Sequence, residues 1–411
     1  MKKLARFALV LVVYGQVALA QTGRIVYINL DGQVATVQPD GSEERVLTAG
    51  AQRFQFPAWS PDGLHLAVLG ADTDGGFLSV LEDVEAAAPK ELYRSSSEPP
   101  FYLYWAPDGE TIGFLANTAA GIGLNIVPTT GAGAKLLATG SPFYWQWTSD
   151  GQGLFIHANA DTDAARLGFT SRVRDTLAEN LAPPGRFQAP GISPSGRYIA
   201  YGTTAAGRGA SVVVQGRPGS SIDVNREVAH SGFASLSWSP TADELAIMSP
   251  AENVPSTFGP VQLLDAETGL LEPLTDNAAV AFFWSPDGRY LAYFAPHRRG
   301  EGELAGAAAP AERLVAQRPQ GQTLLLDLYL VDVALKSERL LTTFAPSPQF
   351  VAQFLPFFDQ YALSHSLWSP ASDALVLSII DLEASTLRVV VLSLDGAATP
   401  VGEGDMAFWS R

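Results

Sequence analysis

Trp59-Ser60-Pro61-Asp62-Gly63 decides the reading of this chain, because it comes back. It recurs as Trp105-Ala106-Pro107-Asp108-Gly109 and as Trp284-Ser285-Pro286-Asp287-Gly288. Looser copies are Trp147-Thr148-Ser149-Asp150-Gly151, Ile192-Ser193-Pro194-Ser195-Gly196, Trp238-Ser239-Pro240 and Trp368-Ser369-Pro370. The chain stops inside an eighth copy, Phe408-Trp409-Ser410-Arg411. Anchored on the first residue, with Trp409 closing the series, the spacings are 46, 42, 45, 46, 46, 84 and 41. Only one interval departs from a period in the forties, and it contains no further anchor.

The motif is a turn. Ser at its first position, Pro at its second and Gly at its fourth are type I β-turn preferences, and the Asp can accept backbone N–H bonds within it. Apolar alternation follows at once, as in Leu66 and Val68, Ile112 and Phe114, or Leu291 and Tyr293. Each unit therefore reads as strand, tight turn, strand and two further strands. Four strands at this period predict the blades of a β-propeller. The anchor Trp then ends the innermost strand and packs between neighbouring blades. Burying such a ring removes roughly 150–250 Å² from water, worth on the order of 4–6 kcal/mol gross. The anchors are read as core.

The two ends belong to one blade. Arg24 to Tyr27, Gln33 to Val37 and Arg45 to Thr48 match a second, third and fourth strand with no first strand before them. Met406 to Trp409 is a first strand with nothing after it. The expectation is an all-β, eight-bladed propeller of four-stranded antiparallel blades, closed by the C-terminal strand completing the N-terminal blade. Counting that shared blade as the first, two insertions fall in the seventh. They lie at 296–322, between its second and third strands, and at 343–365, between its fourth strand and the next blade. No segment combines helical periodicity with caps, part of Leu304 to Gln317 excepted.

Residues 1–20 read as a signal peptide: Lys2, Lys3 and Arg6, an apolar run from Phe7 to Val13, then Ala18-Leu19-Ala20. Cleavage is expected after Ala20, leaving one propeller domain over 21–411, periplasmic or secreted. The apolar run is shorter than the roughly 20 residues of a membrane span. There is no cysteine, which removes disulfides, thiolate metal sites and a cysteine nucleophile. Without the leader's three basic residues the chain holds 23 basic against 42 acidic side chains, a formal charge of −19. Such a surface repels phosphate backbones and anionic lipid. Nucleic acid is excluded as a partner, no membrane span is expected, and the chain is read as a monomer.

The repeated W-S-P-D-G turn followed by an apolar strand resembles the TolB-like, WD-like propeller repeat over essentially all of Gly23 to Arg411. The resemblance implies an exported module for protein–protein interaction. It departs from TolB in having eight blades where TolB has six, in the insertions, and in leaving no room for the N-terminal α/β domain of TolB-like proteins. The hydrolase domain that accompanies the propeller in prolyl-oligopeptidase relatives has no counterpart either.

Few side chains suggest chemistry. Gly191-Ile192-Ser193-Pro194-Ser195-Gly196 has one residue too many between its glycines for a nucleophile elbow, and aligns with the turn motif. The histidines 65, 157, 230, 297 and 365 have no ligand spacing. The positions before the anchors, Ala58, Tyr104, Gln146, Gly191, Ser237, Phe283, Leu367 and Phe408, hold no acid–base pair. A non-catalytic scaffold for a protein or a small-molecule or glycan ligand is the expected function, with no cofactor. The alternative is a lyase or glycosidase acting on carbohydrate at the channel.

Calcium is offered only the acidic loops of Asp72 and Asp74 and of Asp161 and Asp163. The candidate binding residues are those that break the repeat. His297, Arg298 and Arg299 open the first insertion, and Phe350, Phe354, Phe357, Phe358, Tyr361 and His365 populate the second. Tyr102 and Tyr144 stand at neighbouring blade starts on the same face. These aromatics either present a recognition surface or fold back as a plug.

Overall fold

The computed structural model describes residues 23–159, 162–173, 180–205, 209–250, 258–297 and 323–410. Its strands form eight antiparallel sheets arranged as the eight blades of a propeller. Six blades show four strands among the described residues, while blades four and eight show three. In blade eight the innermost position is reduced to a bridge between Trp368 and Leu375. The leader at 1–20 lies outside the described residues. No helix among them is long and apolar enough to cross a membrane.

The turn motif folds as its residues dictate. The Gly63 N–H reaches the Ser60 carbonyl at 2.9 Å, and Gly63 sits at φ +69°, where a side chain would be strained. The Ser60 hydroxyl donates to Asp62 Oδ1 at 2.5 Å, and that oxygen also accepts the Leu64 N–H at 3.0 Å. Ser285 and Asp287 repeat the pair at 2.6 Å, as do Thr148 and Asp150. The Ser193 segment is the same turn, with Ser193 N–H on the Tyr198 carbonyl and Gly196 at φ +70°.

The anchor tryptophans do more than fill space. Trp105 Nε1 donates to the Ala58 carbonyl at 3.0 Å, and Trp147 Nε1 to that of Tyr104 at 3.3 Å. Trp284 and Trp368 do the same to Ser237 and Phe283, at 3.2 and 3.1 Å. In each case the acceptor is the residue before the previous blade's anchor. One side chain thus supplies apolar burial and a directed bond across the blade interface.

Closure follows the expected register. Ile25 pairs with Trp409 and Val26 with Phe408, and the Ser410 N–H bonds the Arg24 carbonyl at 2.8 Å. The terminal strand therefore completes blade one beside Ile25–Asn29.

The second insertion departs from the all-strand expectation. After the strand Ser337–Phe344 the chain forms a π-turn at Phe350–Phe354, a 3-10 turn at Leu355–Phe357 and an α-helix at Phe358–Ser364. Ser347 starts it, its hydroxyl accepting the Phe350 N–H at 3.1 Å, with Pro348 next in sequence. A serine cap followed by proline is a helix start. Pro356, which lacks an N–H, falls where the winding changes. The other stretch with helical character, Leu304 to Gln317, lies outside the described residues.

Candidate functional site

The inner strand of every blade turns one edge toward the channel, so its backbone groups there need partners. The helical insertion supplies them. The Trp145 N–H donates to Gln360 Oε1 at 2.9 Å, and Gln360 Nε2 donates to the Trp145 carbonyl at 2.9 Å. Gln360 Nε2 also reaches the Tyr102 hydroxyl at 3.0 Å, while that hydroxyl donates to the Gln360 carbonyl at 3.0 Å. Gln188 Nε2 holds the Pro356 carbonyl at 2.7 Å. These partners lie in blade three, blade four and the lead-in to blade five.

Apolar contacts complete the circle. Phe354 and Phe358 pack on Phe283 of blade seven, each at 5.8 Å between ring centroids. Tyr361 stacks on Phe56 of blade two at 5.3 Å, and Phe354 lies 5.5 Å from Phe408 of the closing strand. The insertion is a plug in the channel, entered from the face where blades connect.

The strands around the plug are adapted to it. β-Bulges interrupt the inner strands of blades one, two and three. Two of them place a non-glycine residue at positive φ, Phe56 at +49° and Met406 at +54°. Such a backbone costs on the order of 1–3 kcal/mol and persists where packing over-determines it. The bulge at Phe56 aims a ring at Tyr361 that regular alternation would place elsewhere.

The aromatic candidates of the second insertion therefore split by exposure. Phe350, Phe354, Phe358 and Tyr361 are buried in the plug, whereas Phe357 is 40 % exposed and faces outward. His365 and Tyr102 are buried too. His365 Nδ1 pairs with the Ser364 hydroxyl at 2.6 Å, and its ring packs on Phe408 at 4.6 Å. Tyr144 is half-buried over His157, which in turn lies flat on Phe187 at 4.0 Å. Burial pushes the Tyr144 phenol above its usual range.

Asp359 was legible as an acidic residue, but nothing in the sequence marked its surroundings. Its carboxyl is wholly buried between the plug and blade five, and burial pushes it up to about 7. It accepts the N–H groups of Gln360 at 2.9 Å and Ala189 at 3.4 Å. No Lys, Arg or His forms an ion pair with it among the described residues.

His297 begins the first insertion, half-buried, with Nδ1 2.8 Å from Asp327 Oδ1. Thr343 donates to the same oxygen at 2.5 Å. The two insertions thus leave blade seven side by side, on one face. Arg298 and Arg299 lie outside the described residues.

Of the calcium candidates, Asp72 is engaged by protein groups. Asp72 Oδ1 accepts Arg94 at 2.7 Å and the Asp74 N–H at 2.9 Å, and its Oδ2 accepts Gln52 at 3.1 Å. Asp74 and Asp163 are exposed, and Asp161 lies outside the described residues. Among the described residues no three His, Asp or Glu side chains converge as a metal site. Two surface clefts, of about 590 and 460 Å³, open beside Glu403 and Arg388 and beside His65 and Glu82.

No protein-family description and no curated protein matches the chain. Solved structures do. A putative TolB from Agrobacterium tumefaciens is 22 % identical over 65 % of this chain and 95 % of its own, with a TM-score of 0.39. A prolyl endopeptidase is 11 % identical with a TM-score of 0.54, covering 87 % of this chain, which spans half of that enzyme's length. An oligogalacturonate lyase from Vibrio parahaemolyticus is 11 % identical over 93 % of this chain and 85 % of its own, with a TM-score of 0.46. At such identities likeness speaks for fold and leaves function to the site. The structure is an eight-bladed β-propeller, and TolB proteins are among the solved structures it resembles.

Proposed function

We propose that this chain is an exported, non-catalytic scaffold that binds a protein, or a small-molecule or glycan ligand, through the face where its blades connect. The observation that carries the reading is the plug. Phe350 to Ser364 takes up the space on the propeller axis where inner strands would otherwise present side chains to a substrate. Of the candidate binding residues described in the repeat-breaking blade, Phe357 is exposed and His297 half-buried. Aromatic side chains are frequent anchors at interfaces. The leader-like residues 1–20 support export, and the acidic balance argues against nucleic acid.

Photo-crosslinking tests the reading. A photoreactive amino acid is placed at Phe357 on this face, or at Leu64, directly after a W-S-P-D-G turn at the opposite end. Adducts confined to the first position are expected. Adducts confined to the second, or turnover of an oligosaccharide by the purified protein, would overturn it. Export is checked on the mature chain, whose N-terminal residue is expected to be Gln21.

A further inference from the structure

We propose that the helical segment Ser347–Ser364 is a pH-gated plug, docked in the channel when the Asp359 carboxyl carries a proton and loosened when it ionises. The proposal deepens the scaffold reading, since release would remodel the face on which that reading rests. Its test nevertheless reads the plug alone.

Three features support it. First, the plug is a single excursion from blade seven that returns to begin blade eight. It is tied to a blade ladder at its first residue, where the Ser347 N–H bonds the Ser378 carbonyl at 3.1 Å, and its helical part from Phe350 onward is not a strand of any blade. Second, its winding changes from π to 3-10 to α within Phe350–Ser364, so no long uniform helix holds it rigid. Third, its most enclosed titratable group is a carboxyl with two backbone donors and, among the described residues, no cation. Ionising an enclosed carboxyl without a counter-charge is costly, so the docked state prefers the protonated form.

The groups facing Asp359 do not offset that charge. Blade four presents Tyr144, and blade three presents Tyr102 to the neighbouring Gln360 carbonyl. Burial pushes Tyr102 and Tyr144 up, which keeps both neutral. The lead-in to blade five contributes Gln188, and its Arg186 is exposed. The inner strands of blades six and seven, Ser235–Trp238 and Ala281–Trp284, carry no titratable side chain. On the closing strand of blade one, Asp405 accepts the Ser347 hydroxyl at 2.6 Å, and burial raises it as well, so it adds no positive charge.

The direction follows from linkage. The docked carboxyl titrates near 7 against an ordinary 3.8, so the docked state binds the extra proton. Docking is strongest below the lower value, weakens as pH rises between the two, and levels off above the higher. Between pH 5 and pH 8 the docking equilibrium should fall on the order of 10²-fold.

Hydrogen exchange of residues 347–364, corrected for intrinsic rates, is measured from pH 5 to pH 8 on the full chain. Protection is expected to drop about 10²-fold in the wild type. It should stay level in Asp359→Asn, which keeps the shape and removes the ionisation. Gln360→Ala should lower protection by the same factor at every pH while retaining the wild-type slope. Protection independent of pH in the wild type overturns the proposal without touching the scaffold reading. So does a slope that survives in Asp359→Asn, which would assign the titration to another group, such as Asp405 beside Ser347.

Discussion

The side-chain amide of Gln360 closes on the peptide of Trp145 as another strand would, accepting from its N–H and donating to its carbonyl, both at 2.9 Å. A residue 215 positions away in sequence thereby satisfies the inner edge of blade four. A strand edge facing a closed channel must be met in this way or hydrated. Replacing Gln360 by Ala leaves both groups without that partner, while the Tyr102 hydroxyl keeps the residue-360 carbonyl and the Ser364 hydroxyl. The expected cost is about 2–3 kcal/mol in denaturant unfolding. A loss under about 0.5 kcal/mol would mean that water serves these groups equally well.

Phe354 and Phe357, three residues apart, should behave oppositely. Phe354 is fully buried among Phe283, Phe350 and Phe408, so Phe354→Ala is expected to cost about 3–5 kcal/mol. Phe357→Ala should stay within about 0.5 kcal/mol of wild type, as surface substitutions do. Urea melts of the two variants decide whether the plug is seated as described.

The interblade indole bond can be separated from indole burial. Trp105→Phe keeps most of the apolar contact but strips the Ala58 carbonyl of its donor, for about 1–2 kcal/mol. Trp105→Ala also opens a cavity and should cost about 3–5 kcal/mol. Equal losses in the two variants would show that the hydrogen bond carries nothing beyond packing.

Closure of the ring predicts a large effect from a small deletion. Removing the last six residues takes away the strand that pairs with Ile25 and Val26 and exposes the edge of blade one. The truncated chain should melt well below the full-length protein. Identical melting temperatures would rule out closure by the terminal strand.

Asp72 gives an acid-side test. Its hydrogen bond from Arg94, then those from Gln52 and the Asp74 amide, hold its carboxyl down at about 2. A depressed carboxylate adds stability above its ordinary value near 3.8, and that contribution fades as pH falls toward 2. Carboxyl-detected NMR should find Asp72 titrating higher in Arg94→Ala, part of the way back to its ordinary value, since Gln52 and the Asp74 amide remain. An unchanged midpoint would mean that Arg94 is not its dominant partner.

The repeat, the blade count and the shared first blade were legible in the residues because a blade is a local object. A Ser–Asp turn with glycine at positive φ, alternation on either side and a tryptophan at the strand end are all encoded within about 45 positions. The same local grammar exposed the two insertions as interruptions. The second carried its own helical signs, Ser347-Pro348 as a start and aromatics at 350, 354, 358 and 361 as one face. Those signs were obscured by Pro356 and by the change of winding around it.

Where that aromatic face would go was decided only by the tertiary structure. A helix with an apolar stripe reads the same whether it turns to a partner or to its own channel. The choice was made by the ring, whose closure creates an axial space edged by unpaired backbone groups and bulged aromatic strands that the stripe and Gln360 together satisfy. The same enclosure took Asp359, one of many acidic residues in the sequence, and separated its carboxyl from water. No residue near it in sequence announces that change, because burial comes from strands that lie far from it along the chain.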